Sequence, residues 1–582
     1  MKRFIIAALA LLLTSCLAMP SSARDFVPVG VDPLVEDKIA FTVEDLRNGP
    51  GYVSLLMKPK APEDGDHGLW CLSFTTENCK LERGYTVQAH AIIPACTNDE
   101  GHCIESFYLE SSSSGRVRAE QITDFATGFS FPALEQLKTP VGAGPSLWRV
   151  PGVFHAGGTD LYVVAVNSSF SVTDGLVVRY GALSAAIYPV VELSGPRYRP
   201  SAVEQVTLNG QTIWVHDNGE QGSNDGCVLT TIGKCWARDE FASGVRAELN
   251  VRASSEIAGW LHGRLASPSI SIKPIDATQN LFTVNAEPVE VPIMYAETQY
   301  SSLTTDEKEL FENWFAGGGF ANGKQWLKYP SYENRARVLI SKFGEAAGNR
   351  AAAIKSSWQF NSISNNQQQA ACYANQKGLV GLVTTNAMAY DQAAPEFKNG
   401  SLNYSVAGLH LLPDGSKAIG KYDLLIRSDV ARCLYGFTNA PVSAKISVLT
   451  AEGENIVAST LVSEVDGWLK LAAYGFTFSE KNISVRIIQP QSAILEKFKP
   501  SQKKLSTWQM VQADSFARRT VGANKITCNA TYFGSKVRSA ALTQAKAVCD
   551  RIKLLSPETA TEIKASSVKK ASDALRVYLK SS

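Results

Sequence analysis

At 582 residues the chain is too long for one hydrophobic core and should divide into about three to five units. A hydrophobic fraction of 45% excludes a disordered body. The net charge of +2 conceals an asymmetry. Residues 497–582 carry 17 Lys/Arg against 5 Asp/Glu, a net of +12, so residues 24–496 carry −12 once Lys2 and Arg3 are set aside.

The first segment, 1–23, reads as a signal peptide. Lys2 and Arg3 precede a ten-residue apolar run at 4–13, the order of an export signal. That run is far short of the roughly 20 residues a membrane span needs, and nothing later in the chain is long and apolar enough to cross a bilayer. Two processing sites compete. Ser21-Ser22-Ala23 has the small-x-small form of ordinary signal-peptidase cleavage, whereas Leu13-Thr14-Ser15-Cys16 matches a bacterial lipobox that would place diacylglycerol on Cys16.

Residues 24–136 form a β-rich, disulfide-containing domain, with strands expected at 69–74 and 85–93 and a polar turn at 61–68. Residues 137–300 continue as a β-sandwich-like domain. Within it Glu204–Val215 alternates on both sides of Asn209-Gly210, the favoured two-residue hairpin turn, which sets Val206 opposite Ile213. Composition changes at Ser301. Thr304 and Glu307 make a capping box ahead of Leu310, Phe311, Trp314 and Phe315, the buried stripe of a helix stopped by Gly317-Gly318-Gly319. A second helical patch covers 332–354, interrupted near Gly344, and completes a helical insert over 301–357.

A second sandwich-like domain, 358–497, contains Tyr-Gly-Phe-Thr twice, at 435–438 and 474–477. Each copy is followed by Ile-Ser-Val, at 446–448 and 483–485. With a strand-like run at 456–462 and a turn at Asp466-Gly467, this reads as two similar hairpin layers. Residues 498–520 are a basic linker. In the last unit, 521–582, Ile526, Cys528, Ala530 and Tyr532 alternate as on a strand, and Leu542, Ala545, Cys549, Ile552 and Leu555 recur at helical spacing. The fold class is therefore mainly β and multi-domain: antiparallel sandwich-like units, a helical insert and a small C-terminal α+β domain.

Ten cysteines remain beyond Cys16. Their even number and short gaps point to disulfides in an oxidising compartment: Cys71–Cys79, Cys96–Cys103, Cys227–Cys235, Cys372–Cys433 and Cys528–Cys549. Zinc wants closer pairs or neighbouring histidines, so no metal is expected, and nothing in the sequence asks for a cofactor.

The run Ala530 to Asp550 resembles the core of OmpA-like, peptidoglycan-associated domains. Gly534, Leu542 and Ala547 agree with that family, and Thr543 stands for its Ser. The family's wall-peptide Asp and Arg are here Thr531 and Lys546, Ser539 replaces its Asn, and Asp550 its Val. The resemblance implies an envelope-associated α+β fold. The block 430–437 is similar to uncharacterised secreted bacterial cell-surface proteins, which implies location and no activity.

Chemistry-bearing motifs are scarce. There is no Gly-x-Ser-x-Gly elbow, His-Glu-x-x-His pair or phosphate-binding loop, and catalytic and ligand-binding residues are not identifiable. The histidines (67, 90, 102, 155, 216, 262 and 410) are scattered. His155 lies in a glycine-rich turn with Asp160, and His262 is flanked by Trp260 and Arg264. Both have a plain reading as turn or strand-entry residues. The acidic loops at 63–66 and 217–225 depart from calcium-loop spacing. The basic segment lacks the aromatic array of a nucleic-acid binder, so its expected partner is a cell-wall or other anionic envelope polymer. The whole reads as an exported cell-surface protein with a binding, adhesion or scaffolding role. The alternative is an extracellular glycan-active hydrolase with a C-terminal anchor.

Non-reducing peptide mapping should recover the Cys528 and Cys549 peptides joined. Free thiols at both positions would refute that pairing.

Overall fold

The structure is a computed structural model. It describes residues 37–45, 54–58, 69–97 (except 77, 78, 80, 82, 83 and 85), 101–122, 130–200, 202–208, 211–217, 226–311, 325–363, 372, 378–398, 401–435, 443–450, 455–456, 459–478 and 481–488. The described chain is mainly β, built from several sheets, mostly antiparallel, with short helices. No described helix is long and apolar enough to cross a membrane.

A central sheet holds the layers together. Leu161–Thr173 pairs with Val177–Ser194 and with Thr86–Ile92. Val177–Ser194 pairs in turn with Ala353–Ile363, which pairs with Gly259–Arg264. From there the order continues through Leu379–Thr385, Ile419–Arg427, Trp468–Thr477 and Ser459–Val465. Strand Leu379–Thr385 is buried along its whole length. Its sequence, LVGLVTT, is nearly continuous in apolar character because both faces are covered.

Two cores lie on opposite faces. On one, Leu382 and Leu425 join Ala247, Leu249 and Val251 of Arg246–Ser254 and Phe282, Val284 and Ala286 of Gln279–Glu287. On the other, Val383, Leu424 and Ile426 pack with Leu402, Tyr404 and Val406 of Ser401–Ala407. Neighbours in sequence thus feed different cores, as the period of two requires. Gly381 permits a close approach: a Cβ there would stand 2.3 Å from the Trp260 ring and 2.7 Å from the Leu425 carbonyl oxygen.

A third core gathers around Lys38–Glu44, which pairs antiparallel with Val289–Gln299 and parallel with Gln325–Pro330. Phe41 meets Phe311, Tyr329 and Phe343 edge-on or tilted. The capping box forms: Glu307 N–H donates to Thr304 Oγ1 at 3.3 Å and Thr304 N–H donates to Glu307 Oε2 at 3.0 Å. That helix is described as Thr305–Phe311; Trp314, Phe315 and the three glycines lie outside the described residues.

Several local expectations need correction. The second helical patch ends early, as Asn334–Phe343. A Cβ at Gly344 would meet the Ile340 carbonyl oxygen at 2.8 Å, and Ile354 belongs to strand Ala353–Ile363. The two Tyr-Gly-Phe-Thr copies are not equivalent. Tyr474 lies on a strand, whereas Tyr435 closes helix Ser428–Tyr435. Val430, Ala431, Leu434 and Tyr435 make that helix's buried stripe, and this three-to-four spacing overrides the β character of the block. The Ile-Ser-Val runs do sit on strands, and they pair with each other: Ile446 with Val485, Val448 with Ile483. Strands Ala202–Leu208 and Gln211–Asp217 pair with Val206 opposite Ile213.

Buried histidines give the fold an acid limit. Burial lowers His155, drives His262 well below its ordinary value, and pushes His102 down to about 4. In the unfolded chain these rings titrate near 6.5, so at lower pH the unfolded state binds protons that the fold refuses. Their stabilising contribution is whole above about pH 6.5 and is lost as pH falls towards 4. Urea unfolding at pH 7 and pH 4 should show the parent losing on the order of 3 kcal/mol more than H102N. Equal losses would remove His102 from the acid limb.

Candidate functional site

Four turns and strand ends converge on an open cleft of about 1080 Å³. One wall is Ser255–Ala258, the bend after strand Arg246–Ser254, closed by Gly259 at φ 91. A second is the hairpin of Ala266–Pro274 and Gln279–Glu287, which contributes Ile272, Asn280 and Phe282. Asp276 holds its turn by accepting from Thr278 N–H at 2.6 Å and Gln279 N–H at 2.9 Å.

The third wall is the turn joining Ser459–Val465 to Trp468–Thr477. Asp466 and Gly467 have φ 49 and 80, and Val465 pairs with Trp468. A two-residue turn with both φ positive matches the twist of its strands, and Asp-Gly supplies it. The fourth is the start of helix Ser428–Tyr435, whose Ser428 N–H donates to the Gly467 carbonyl at 2.8 Å. Arg427 there grips Asp429, Nε to Oδ1 at 3.1 Å and Nη2 to Oδ2 at 2.6 Å.

Ile257, Leu379 and Phe282 floor the cleft, and the half-buried Trp468 lies among its lining residues. Glu256, Asp429 and Asp466 line it with Arg427, three carboxylates to one guanidinium. Neither Glu256 nor Asp466 enters an ion pair among the described residues.

Outside the cleft are three polar nodes. His155 Nδ1 accepts from Gly157 N–H at 3.0 Å, so Nε2 carries the proton and faces Thr159 Oγ1 at 2.8 Å and the Val190 carbonyl at 3.1 Å. The ring is neutral and spoken for. His262 is wholly buried and stacks on Tyr390 with centroids 3.6 Å apart. Both behave as packed core residues.

The third node joins two bulges. Gly475 at φ 83 shifts the register between Gly420–Phe476 and Lys421–Tyr474, and Ser267 at φ 46 sits in a shift between Ala266–Glu287 and Ser269–Asn285. The bulges bring Tyr474 Oη to Asp423 Oδ1 at 2.5 Å, Ser267 N–H to Asp423 Oδ2 at 3.2 Å, and Ser267 Oγ to Tyr474 Oη at 3.2 Å. Burial raises the Asp423 carboxyl and the Tyr474 hydroxyl and lowers Lys470. A raised tyrosine is a poor base for Ser267, so the node works as a latch between sheets.

Sequence reasoning reached the Asp466-Gly467 turn but not the cleft, whose lining comes from segments more than 200 positions apart. Four disulfides are present: Cys71–Cys79, Cys96–Cys103, Cys227–Cys235 and Cys372–Cys433. Cys16, Cys528, Cys549, the acidic loop 63–66, residues 218–225 and the OmpA-like run 530–550 lie outside the described residues. Among the described residues no three His, Cys, Asp or Glu side chains cluster as metal ligands.

No family model, no curated protein and no solved structure matches this chain.

Cys433 lies on the helix that starts at the cleft, and its bridge to Cys372 spans 61 positions. In the chain-entropy account a loop of that length is worth about 4 kcal/mol. The C372S/C433S double variant should lose about that much in denaturant unfolding. A loss below about 1 kcal/mol would show that the bridge adds little to the fold.

Proposed function

We propose that the chain is an exported cell-surface binding protein. Its β body presents the cleft to a ligand, and its basic C-terminal segment holds it to an anionic envelope polymer. The observation that carries this reading is the cleft itself: concave, apolar at its floor, and ringed by a few polar groups on rigid turns, the usual anatomy of a binding site. The four disulfides support an oxidising, extracytoplasmic location, and the +12 segment supports attraction to polyanions.

Binding is favoured over glycan hydrolysis by where the perturbed carboxyls fall. A hydrolase needs one carboxyl held protonated beside an ionised partner across the substrate. Glu240, Glu333 and Asp423 are raised by burial, and none of them lines the cleft. Within it, both Asp429 oxygens accept hydrogen bonds from Arg427.

The test is retention of the full chain and of a variant lacking 497–582 on purified cell envelope, across a salt series. The full chain should be retained at low salt and released as salt rises, and the truncated chain should stay in solution. Equal retention of both would sink the tether. Release of reducing ends from wall glycan, abolished by E256Q or D466N, would put the hydrolase ahead.

A further inference from the structure

Taking the cleft as the binding site proposed above, we infer that its ligand is a cation: the ammonium or guanidinium group of a lysine or arginine side chain on a basic peptide segment of a partner. Charge is the first ground. Arg427 is the one basic side chain among the described lining residues, and Asp429 neutralises it through two hydrogen bonds. Glu256 and Asp466 remain as two carboxylates on a cleft floored by Ile257, Leu379 and Phe282. Low-dielectric walls focus the field of such a pair outward and raise the local concentration of cations.

Desolvation is the second. An apolar ligand covering Glu256 and Asp466 would strip water from two charges and return nothing for them, and a polyol would donate hydroxyl hydrogen bonds but leave both charges uncompensated. A cation compensates both. A neutral polyol would also want donors, and the described lining side chains offer few: Asn280, Ser255, Ser428 and the Trp468 indole N–H, with Arg427 already engaged.

The third ground is Trp468. Its residue starts the strand that follows Asp466-Gly467, two positions beyond the carboxylate, and its half-buried ring packs against the core while lining the same cleft. An indole and carboxylates lining one cleft suit an alkylammonium or guanidinium group, with its stem on the apolar lining and its charge shared between ring and acid.

The experiment uses the full chain with a fluorescein-labelled tri-lysine peptide, in anisotropy titrations at low and physiological salt. A neutral trisaccharide titrated by calorimetry is the second probe. E256Q and D466N keep the local structure, since Asn tolerates the left-handed conformation of position 466. The peptide should bind the parent and weaken with salt, the E256Q/D466N double variant should bind at least tenfold less tightly, and W468L several-fold less. Trisaccharide binding lost in W468L, with the peptide ignored, would overturn the cationic class and leave the cleft as a binding site. Peptide binding seen only after removal of 497–582 would overturn the partner and make the chain's own basic segment the occupant. If neither probe responds to W468L or to the double variant, the cleft reading falls with the inference.

Discussion

The fold depends on one buried charge. Arg264 is 1% exposed, yet its guanidinium is fully engaged. Asp45 takes Nε at 2.7 Å and Nη2 at 2.9 Å, while the carbonyls of Thr385 and Ala387 take Nη1 at 3.0 and 2.6 Å. Tyr390 lies over the same group with its centroid 4.6 Å away. A buried ion survives only when its partners replace the water it has lost. Here those partners come from Asp45, just after the first strand, and from the end of Leu379–Thr385 with the residues that follow it, and both meet Arg264's own strand. One side chain therefore obliges three distant stretches to meet in a single geometry, and that geometry seats His262 against Tyr390.

A second polar latch works at the other side of the same sheet. Asp423 stands between the central sheet and the hairpin that carries Ser267, and each of its oxygens meets a donor from a bulged strand. Apolar layers alone tolerate small slides in register; a carboxylate satisfied by donors on two different strands does not. The cleft lies at the ends of the strands so locked, which is why it can be open to solvent and still be built from rigid turns.

What the sequence made legible was local. Alternation in Glu204–Val215, the Thr304–Glu307 capping box, the Asp466-Gly467 turn and the spacing of four cysteine pairs are short-range signals, and each has its counterpart in the structure. The first Tyr-Gly-Phe-Thr copy shows the limit. Its residues match the second copy, but Tyr435 belongs to a helical stripe set by Val430 and Leu434 upstream. The cleft was illegible for a different reason. Glu256, Arg427 and Trp468 are unremarkable one at a time, and only strand pairings closed over long loops bring them together. Asp45 and Arg264 carry no sequence sign of each other at a separation of 219 positions.

The last described strand, Lys481–Ile488, is not an edge. It lies between Ser443–Thr450, with eight paired positions, and Ser401–Ala407, with five. Tension on the chain beyond Ile488 first meets Arg486, Ile487 and Ile488, paired on one side, and then Lys481 to Val485, paired on both, so two hydrogen-bonded ladders must part before the strand can be drawn out. An edge strand would peel from one neighbour, one bond at a time. The placement of this strand makes the last described stretch of the chain a mechanically reinforced one.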